Sequence, residues 1–409
     1  MKYDYLKAKE YLYHEEKDLD NKLYYILSFD ESINIRVSPK AKALIDKFDG
    51  KHTLKDVVME LNNKEYTVQE NDLIDYIENV LIKNCLIDGY EIDIGKPKNK
   101  NRLWIHIPII ESKRFNLLYK FMSFAFNKYV AAILIIFVLS IFLSIIFKAC
   151  TNGGIKLDIY NLNSGLILIY IYISLLIHEF GHVAAAYRYG VTAGKLGIGI
   201  YLIYPVFYID LTNAWRIDSK KRMIVDLAGI YFQILTCIPL YLMYYFLNNE
   251  IYLITTMLII STTFINLIPV LKLDGYWFLS DCLRLSNISV EPFKSIKRLI
   301  LKAIDKNEMK EKCTNSEKVK GIYSLVYVIS TILVITYGVI LGFGFLTDYS
   351  TIVDEFHCFI SSIRDGKISS AFNIFNKLFV VILPILFIIY AILKVIFMSL
   401  IKLIIKRRR

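Results

Sequence analysis

The chain has 409 residues, 55% of them hydrophobic and 21% charged, with a formal net charge of +11. So large an apolar share excludes a disordered or fibrous chain and points to a membrane protein long enough for two or three domains. The surplus of Lys and Arg reads as membrane topology and contact with anionic lipid, so no nucleic-acid partner is expected. None of the six cysteines forms a C-x-x-C pair, which leaves zinc-ribbon and redox motifs unsupported.

The first twenty residues are rich in Lys, Asp and Glu and hold no apolar stretch, so no cleavable signal peptide is expected and the N-terminus is assigned to the cytoplasm. Residues 23–94 read as a small domain with its own core. Leu23-Tyr24-Tyr25-Ile26-Leu27 and Ile33-Asn34-Ile35-Arg36-Val37 flank Asp30-Glu31-Ser32, the composition of a β-hairpin. Ser38-Pro39 pairs an N-cap with a proline at the first helical position, predicting a helix that runs to about Phe48 before Asp49-Gly50. Thr53, with Asp56 three residues on, opens a second helix that buries Leu54, Val57, Val58 and Leu61. A third, over 70–84, carries Leu73, Ile74, Ile77, Val80 and Leu81 at helical spacing. Its acids, Glu70, Asp72, Asp75 and Glu78, suit DNA poorly.

A hairpin followed by three short helices is a small α+β, winged-helix-like arrangement, which resembles the PqqD-like domains that recognise leader peptides of ribosomally made, modified peptides. The resemblance rests on Val37-Ser38-Pro39, Phe48-Asp49-Gly50, Thr53-Leu54 and Asn84-Cys85-Leu86-Ile87. It implies a precursor-peptide partner, and with it a peptide-modifying enzyme or exporter. The expected contact is a peptide strand added beside Ile35 and Val37 and seated against Ile74 and Ile77. The linker, Lys96-Pro97-Lys98-Asn99-Lys100, precedes a stretch from Leu103 to Lys128 expected to lie along the membrane surface. The expected domains are therefore 1–95, a connecting segment at 96–128, and a transmembrane domain at 129–409 with its core at 159–281.

Six runs carry no Lys, Arg, Asp or Glu: 129–147, 159–177, 227–249, 251–271, 321–347 and 378–393. Most reach the ~20 residues needed to cross a bilayer, which predicts a six-span α-helical membrane protein; the resemblance to peptide-maturation proteins implies that the membrane is a bacterial cell membrane. Both termini are then cytoplasmic, in keeping with the terminal Lys406-Arg407-Arg408-Arg409. Cys150 and Cys358 fall in segments expected outside and are candidates for a pair.

The second run ends in His178-Glu179-Phe180-Gly181-His182, the pattern H-E-x-x-H. Ionisable side chains inside a membrane helix are costly, so function is the default reading. On a helix the two histidines lie one turn apart on one face, a spacing that lets both reach a single Zn2+ ion. Glu179 then stands where a carboxylate can take a proton from metal-activated water. Beyond it, Gly194 to Asp210 is rich in glycine, β-branched and aromatic residues, predicting a short hairpin at membrane depth whose edge can pair with a substrate strand. Asp210, polar in an apolar setting, is read as an interfacial or structural residue, with orientation of a ligand as the alternative. Two histidines leave the metal short of a ligand, and Asp274 is the candidate for it. Asp274 follows a helix end broken at Asn266 and Pro269, with Gly275 allowing the chain to turn.

Over about 164–281 the chain resembles the site-2 protease family of intramembrane zinc metalloproteases. The carriers are His178-Glu179-Phe180-Gly181-His182 and the block from Asn266-Leu267-Ile268-Pro269 to Leu273-Asp274-Gly275. The resemblance implies that His178, His182 and Asp274 are ligands and Glu179 the base. Ala228-Gly229-Ile230-Tyr231-Phe232-Gln233 stands where the family has A-G-P-x-x-N, and its Ile and Gln depart from that pattern. The function expected is zinc-dependent cleavage of a ribosomal precursor peptide during maturation or export. The alternatives are regulated cleavage of a membrane-bound regulator such as an anti-sigma factor, and a catalytically silent scaffold or immunity protein.

Overall fold

The computed structural model describes residues 3–29, 33–62, 69–84, 86–89, 103–151, 164–201, 204–285, 288–293, 295, 315–347, 349–367, 370, 371, 374 and 375. Near the N-terminus the predicted hairpin, β2 (Leu23–Phe29) and β3 (Ile33–Val37), gains a third strand, β1 (Tyr11–Lys17), giving an antiparallel sheet in the order β1-β2-β3. β1 escapes a reading by alternation because its Lys and Glu residues interrupt the apolar signal. The Ser38 side chain accepts from the Ala41 amide at 3.2 Å, with Pro39 opening α1 (Pro39–Ile45), which ends before the expected Phe48. Thr53 and Asp56 cap α2 (Leu54–Asn62) reciprocally, at 3.0 and 3.3 Å. Helix α3 (Glu70–Tyr76) continues as a π-turn over Ile77–Ile82. One apolar core joins these elements, from Tyr3 and Leu6 through Phe29, Ile45 and Leu61 to Leu81, Leu86 and Ile87.

Strand β4 (Leu103–Glu111) does not merely follow the surface. It pairs with β5 (Lys195–Tyr201), which pairs with β6 (Tyr204–Ile209), so the predicted hairpin is two strands of a three-stranded sheet. Gly197 permits this packing, since a Cβ there would meet the Ile107 carbonyl and the Tyr208 ring. After β4, α4 (Asn116–Ser123) buries Tyr119 against Val183 and Phe180 and leaves Leu117 and Phe121 exposed, as a helix lying at a membrane surface requires.

Among the described residues, three stretches are long and apolar enough to cross a bilayer: α5 (Lys128–Thr151), Gly165–Arg188 of α6 (Ser164–Arg188), and Ser219–Leu247, which joins α7 (Ser219–Leu235) to α8 (Cys237–Leu247). The expected run at 251–271 forms the shorter α9 (Glu250–Asn266), and 321–347 lies within α11 (Asn315–Thr347). The run at 378–393 lies outside the described residues. Between α9 and α11 comes α10 (Asp274–Cys282), and α12 (Tyr349–Arg364) follows α11. Cys150 and Cys358 are both exposed, free thiols.

Small residues bring α6 and α7 together. A Cβ on Gly181 would sit 2.6 Å from the Ala228 carbonyl, and Ala184, Ala185 and Ala228 are buried along the same crossing. The N-terminal sheet docks on this core. Asn34 donates to the Thr212 carbonyl at 3.1 Å, Arg36 to the Arg284 carbonyl at 3.0 Å, and Arg284 to the Lys17 carbonyl at 3.0 Å.

Candidate metal centre

His178 and His182 project from one face of α6 toward α7, and both are nearly inaccessible. Gly229 on α7 faces them, and a Cβ there would lie 2.6 Å from His178 Nε2. The glycine is required by this close approach. Asp274 arrives from the first turn of α10. Beyond α9 the chain makes a short 3-10 turn over Pro269–Leu271, and the left-handed residue is Lys272 (φ 54°), not the expected Gly275. Gly275 serves a different purpose: a side chain there would strike the Leu267 backbone.

The three donor atoms converge. His178 Nε2 lies 3.1 Å from His182 Nε2 and 2.9 Å from Asp274 Oδ2, and His182 Nε2 lies 3.6 Å from the same oxygen. Ligands about 2.0–2.1 Å from a tetrahedral zinc stand roughly 3.3 Å apart, which is the mean of these spacings within a few tenths of an ångström. The outer bonds of the rings settle where their protons sit. His178 Nδ1 donates to Gln233 Oε1 at 3.1 Å, and His182 Nδ1 donates to the Val225 carbonyl at 2.7 Å. Both Nε2 atoms therefore carry lone pairs in the neutral rings. Asp274 Oδ2 is buried and has no hydrogen-bond donor. Three acceptors facing one another without a proton fit a cation between them, and His178, His182 and Asp274 are the grouping of potential metal ligands among the described residues.

Glu179 follows His178 on α6, and the backbone amide of Ile209, at the end of β6, reaches its carboxylate. β6 is an edge of its sheet, so the strand's free side borders this carboxylate. Asp210 stands apart from the metal ligands. Its Oδ1 accepts from the Thr212 amide and hydroxyl at 3.0 and 2.6 Å, closing the turn after β6. Gln233 is fully buried and, despite departing from the family pattern, holds a ligand: its amide nitrogen donates to Thr262 at 3.3 Å while its oxygen takes the His178 proton. Asn266 contributes a further, longer bond to that oxygen at 3.4 Å.

Sequence reasoning missed a buried charged cluster beside the site. Arg222 on α7 makes a forked contact with Asp281 on α10 at 2.8–3.1 Å and pairs with Glu16 of β1 at 3.3 Å. Glu16 also accepts the Ser219 amide at 2.8 Å. Burial opposes ionisation of Glu16, yet His14, Arg222 and Tyr24 together hold its carboxyl at about 2. Asp281 is raised above the usual carboxylate range by its burial, and it shares a hydrogen bond with Asp226. The signal available in the sequence was Arg222 and Asp226 one turn apart at the head of an apolar run. Of the residues expected to contact a peptide, Val37 and Ile77 are enclosed in the N-terminal core and offer no surface, whereas Ile35 and Ile74 are partly buried at its margin.

A pair of helix-borne histidines with an adjacent glutamate and an acid from a later helix, set among membrane-length helices, is the arrangement of a metallopeptidase centre. Residues 166–255 match Peptidase family M50. A Bacillus subtilis (strain 168) protein named "Putative peptide zinc metalloprotease protein YydH" is 31% identical over 126 residues, covering 30% of this chain and 50% of that protein. The chain thus matches about half the length of this curated relative. No solved structure matches the chain. The M50 match includes both histidines, Glu179 and Gly229, and zinc is the ion it implies. Asp274 falls beyond it and rests on the geometry.

Proposed function

We propose that the protein is an intramembrane zinc endopeptidase that cleaves a ribosomally made precursor peptide during maturation or export. The observation that carries the chemistry is the convergence of three proton-free acceptors, with each histidine's outer proton fixed by Gln233 or Val225. When bound there, zinc supplies a Lewis acid that acidifies water and polarises a carbonyl. Glu179 takes the proton released as the water oxygen attacks the carbonyl carbon. It then passes that proton to the amide nitrogen as the C–N bond breaks. The free side of β6 holds the substrate in an extended form, which exposes a scissile bond that a helix would shield.

The peptide class is supported by the relative's name and by the resemblance of the N-terminal domain to PqqD-like domains. On this reading 1–95 is a cytoplasmic module that raises the local concentration of a tethered leader at the site. Ile35 and Ile74, at the margin of its core, meet the peptide, while Val37 and Ile77 are buried beneath and do not touch it. Glu179→Gln should retain zinc at wild-type stoichiometry and lose cleavage, because the ligands remain while the proton acceptor is gone. Metal analysis, and mass spectrometry of candidate precursor peptides incubated with the protein, test this. Full activity in the variant, or wild-type protein that binds no zinc, would refute it.

A further inference from the structure

A cleft of about 300 Å³ lies where the N-terminal sheet meets the helical core. One wall is β2 and β3, with Tyr24, Ile35 and Arg36; the other includes Trp215, Trp277 and Arg284. Among the described residues that line it, the charge is unbalanced. Asp281, the acid on its wall, is engaged by Arg222. Arg36 and Arg284 donate to backbone carbonyls, and among the described residues neither forms an ion pair. Each guanidinium has five donors, so among the described residues each keeps several without a partner. Arg36 Cζ stands 3.4 Å from the centroid of the Tyr24 ring, a stacking distance that restrains the guanidinium. Arg284 is held in the left-handed region at φ 51°, on the turn that ends α10.

Two oriented and uncompensated guanidiniums beside two indoles make a receptor for an anion carried on an apolar chain. The cleft also has a fixed relation to the metal centre, because α10 begins with Asp274 and carries Trp277 and Asp281 on the cleft wall. Seven residues of helix span about 10 Å at 1.5 Å per residue. An extended peptide covers that distance in about three residues.

We propose that this cleft binds an acidic residue of the peptide substrate, an Asp or Glu carboxylate seated between Arg36 and Arg284, at least three residues from the cleaved bond. Its neighbour packs on Trp215 and Trp277. The inference rests on the endopeptidase reading and adds to it the sequence class of the substrate. It also gives the docking of the N-terminal sheet a purpose, since the sheet supplies one arginine and the core the other.

The test uses the full chain in lipid nanodiscs and a pool of synthetic decapeptides, each made with one Asp at a varied position and again with Asn there. Glu179→Gln protein is loaded with the pool, and retained peptides are quantified by mass spectrometry. Asp forms should be retained on the order of tenfold better than their Asn twins, the worth of one or two charge-assisted hydrogen bonds. R36Q/R284Q in the same background should bring that ratio toward one, and R36K/R284K should keep most of it. Equal retention of Asp and Asn forms overturns the assignment, as does a preference that survives R36Q/R284Q. Zinc-loaded protein with Glu179 intact separates the two readings. An Asp preference without cleavage of any peptide would uphold the cleft and sink the peptidase, whereas cleavage without the preference would do the reverse.

Discussion

Gln233→Met tests whether the buried amide sets the metal affinity. Gln233 is fully buried, and its Oε1 accepts the Nδ1 proton of His178 at 3.1 Å. Methionine keeps the length and bulk of the side chain and removes that acceptor. The imidazole N–H is then stranded in an apolar surround, at a cost of about 1–3 kcal/mol. The ring can recover by moving its proton to Nε2, but that abolishes the lone pair that faces His182 and Asp274. Either route weakens the ion's hold by roughly 10- to 100-fold, the usual effect of losing an outer hydrogen bond to a ligating histidine. Competition with a chromogenic zinc chelator on purified full-length protein reads this directly. Thr262→Val is the graded control, because it removes only Gln233's 3.3 Å partner and leaves the bond to His178. A Gln233→Met protein with wild-type zinc affinity would show that the His178 tautomer is set elsewhere and would refute the assignment.

Gly229→Ala should abolish zinc retention while the N-terminal domain stays folded, since its methyl group would stand 2.6 Å from His178 Nε2; metal content after gel filtration, with circular dichroism, checks this. Arg222→Met should lower stability by about 3–5 kcal/mol, the cost of leaving buried carboxylates unpaired; thermal unfolding of the intact chain measures it, and a shift of under a degree would show that Glu16 and Asp281 find other partners. The Glu16 carboxyl sits at about 2 against an ordinary 4.5, so its stabilising contribution is present above pH 4.5 and is lost as pH falls toward 2. Asp281, raised by burial, works in the opposite sense. Glu16→Gln should therefore flatten the acid limb of the stability profile, and an unchanged limb would assign acid sensitivity to other groups. A single cysteine at Gly366 in a cysteine-free background should label from outside intact cells, and labelling only after lysis would invert the topology with both termini cytoplasmic.

Local rules were legible in the chain because they depend on neighbours. Ser38 before Pro39, Thr53 three residues ahead of Asp56, and two histidines one helical turn apart each constrain a few consecutive residues, and each appears as the spacing requires. Three of the six apolar runs likewise marked membrane-length helices among the described residues, because length and composition decide that. Convergence needed the packed molecule. Asp274 faces His178 only because Gly181, Gly229 and Ala228 let α6 and α7 cross closely while Lys272 turns the chain into α10. β4 joins β5 across the first two spans, and Glu16 reaches Arg222 across the connecting segment. Nor does any local pattern disclose that Gln233 holds a ligand's proton: its role depends on the His178 ring lying 3.1 Å away, a distance set by helix packing. Periodicity fixes which face a side chain takes, but which residue it meets there depends on crossing angles and close contacts that arise only when distant elements pack.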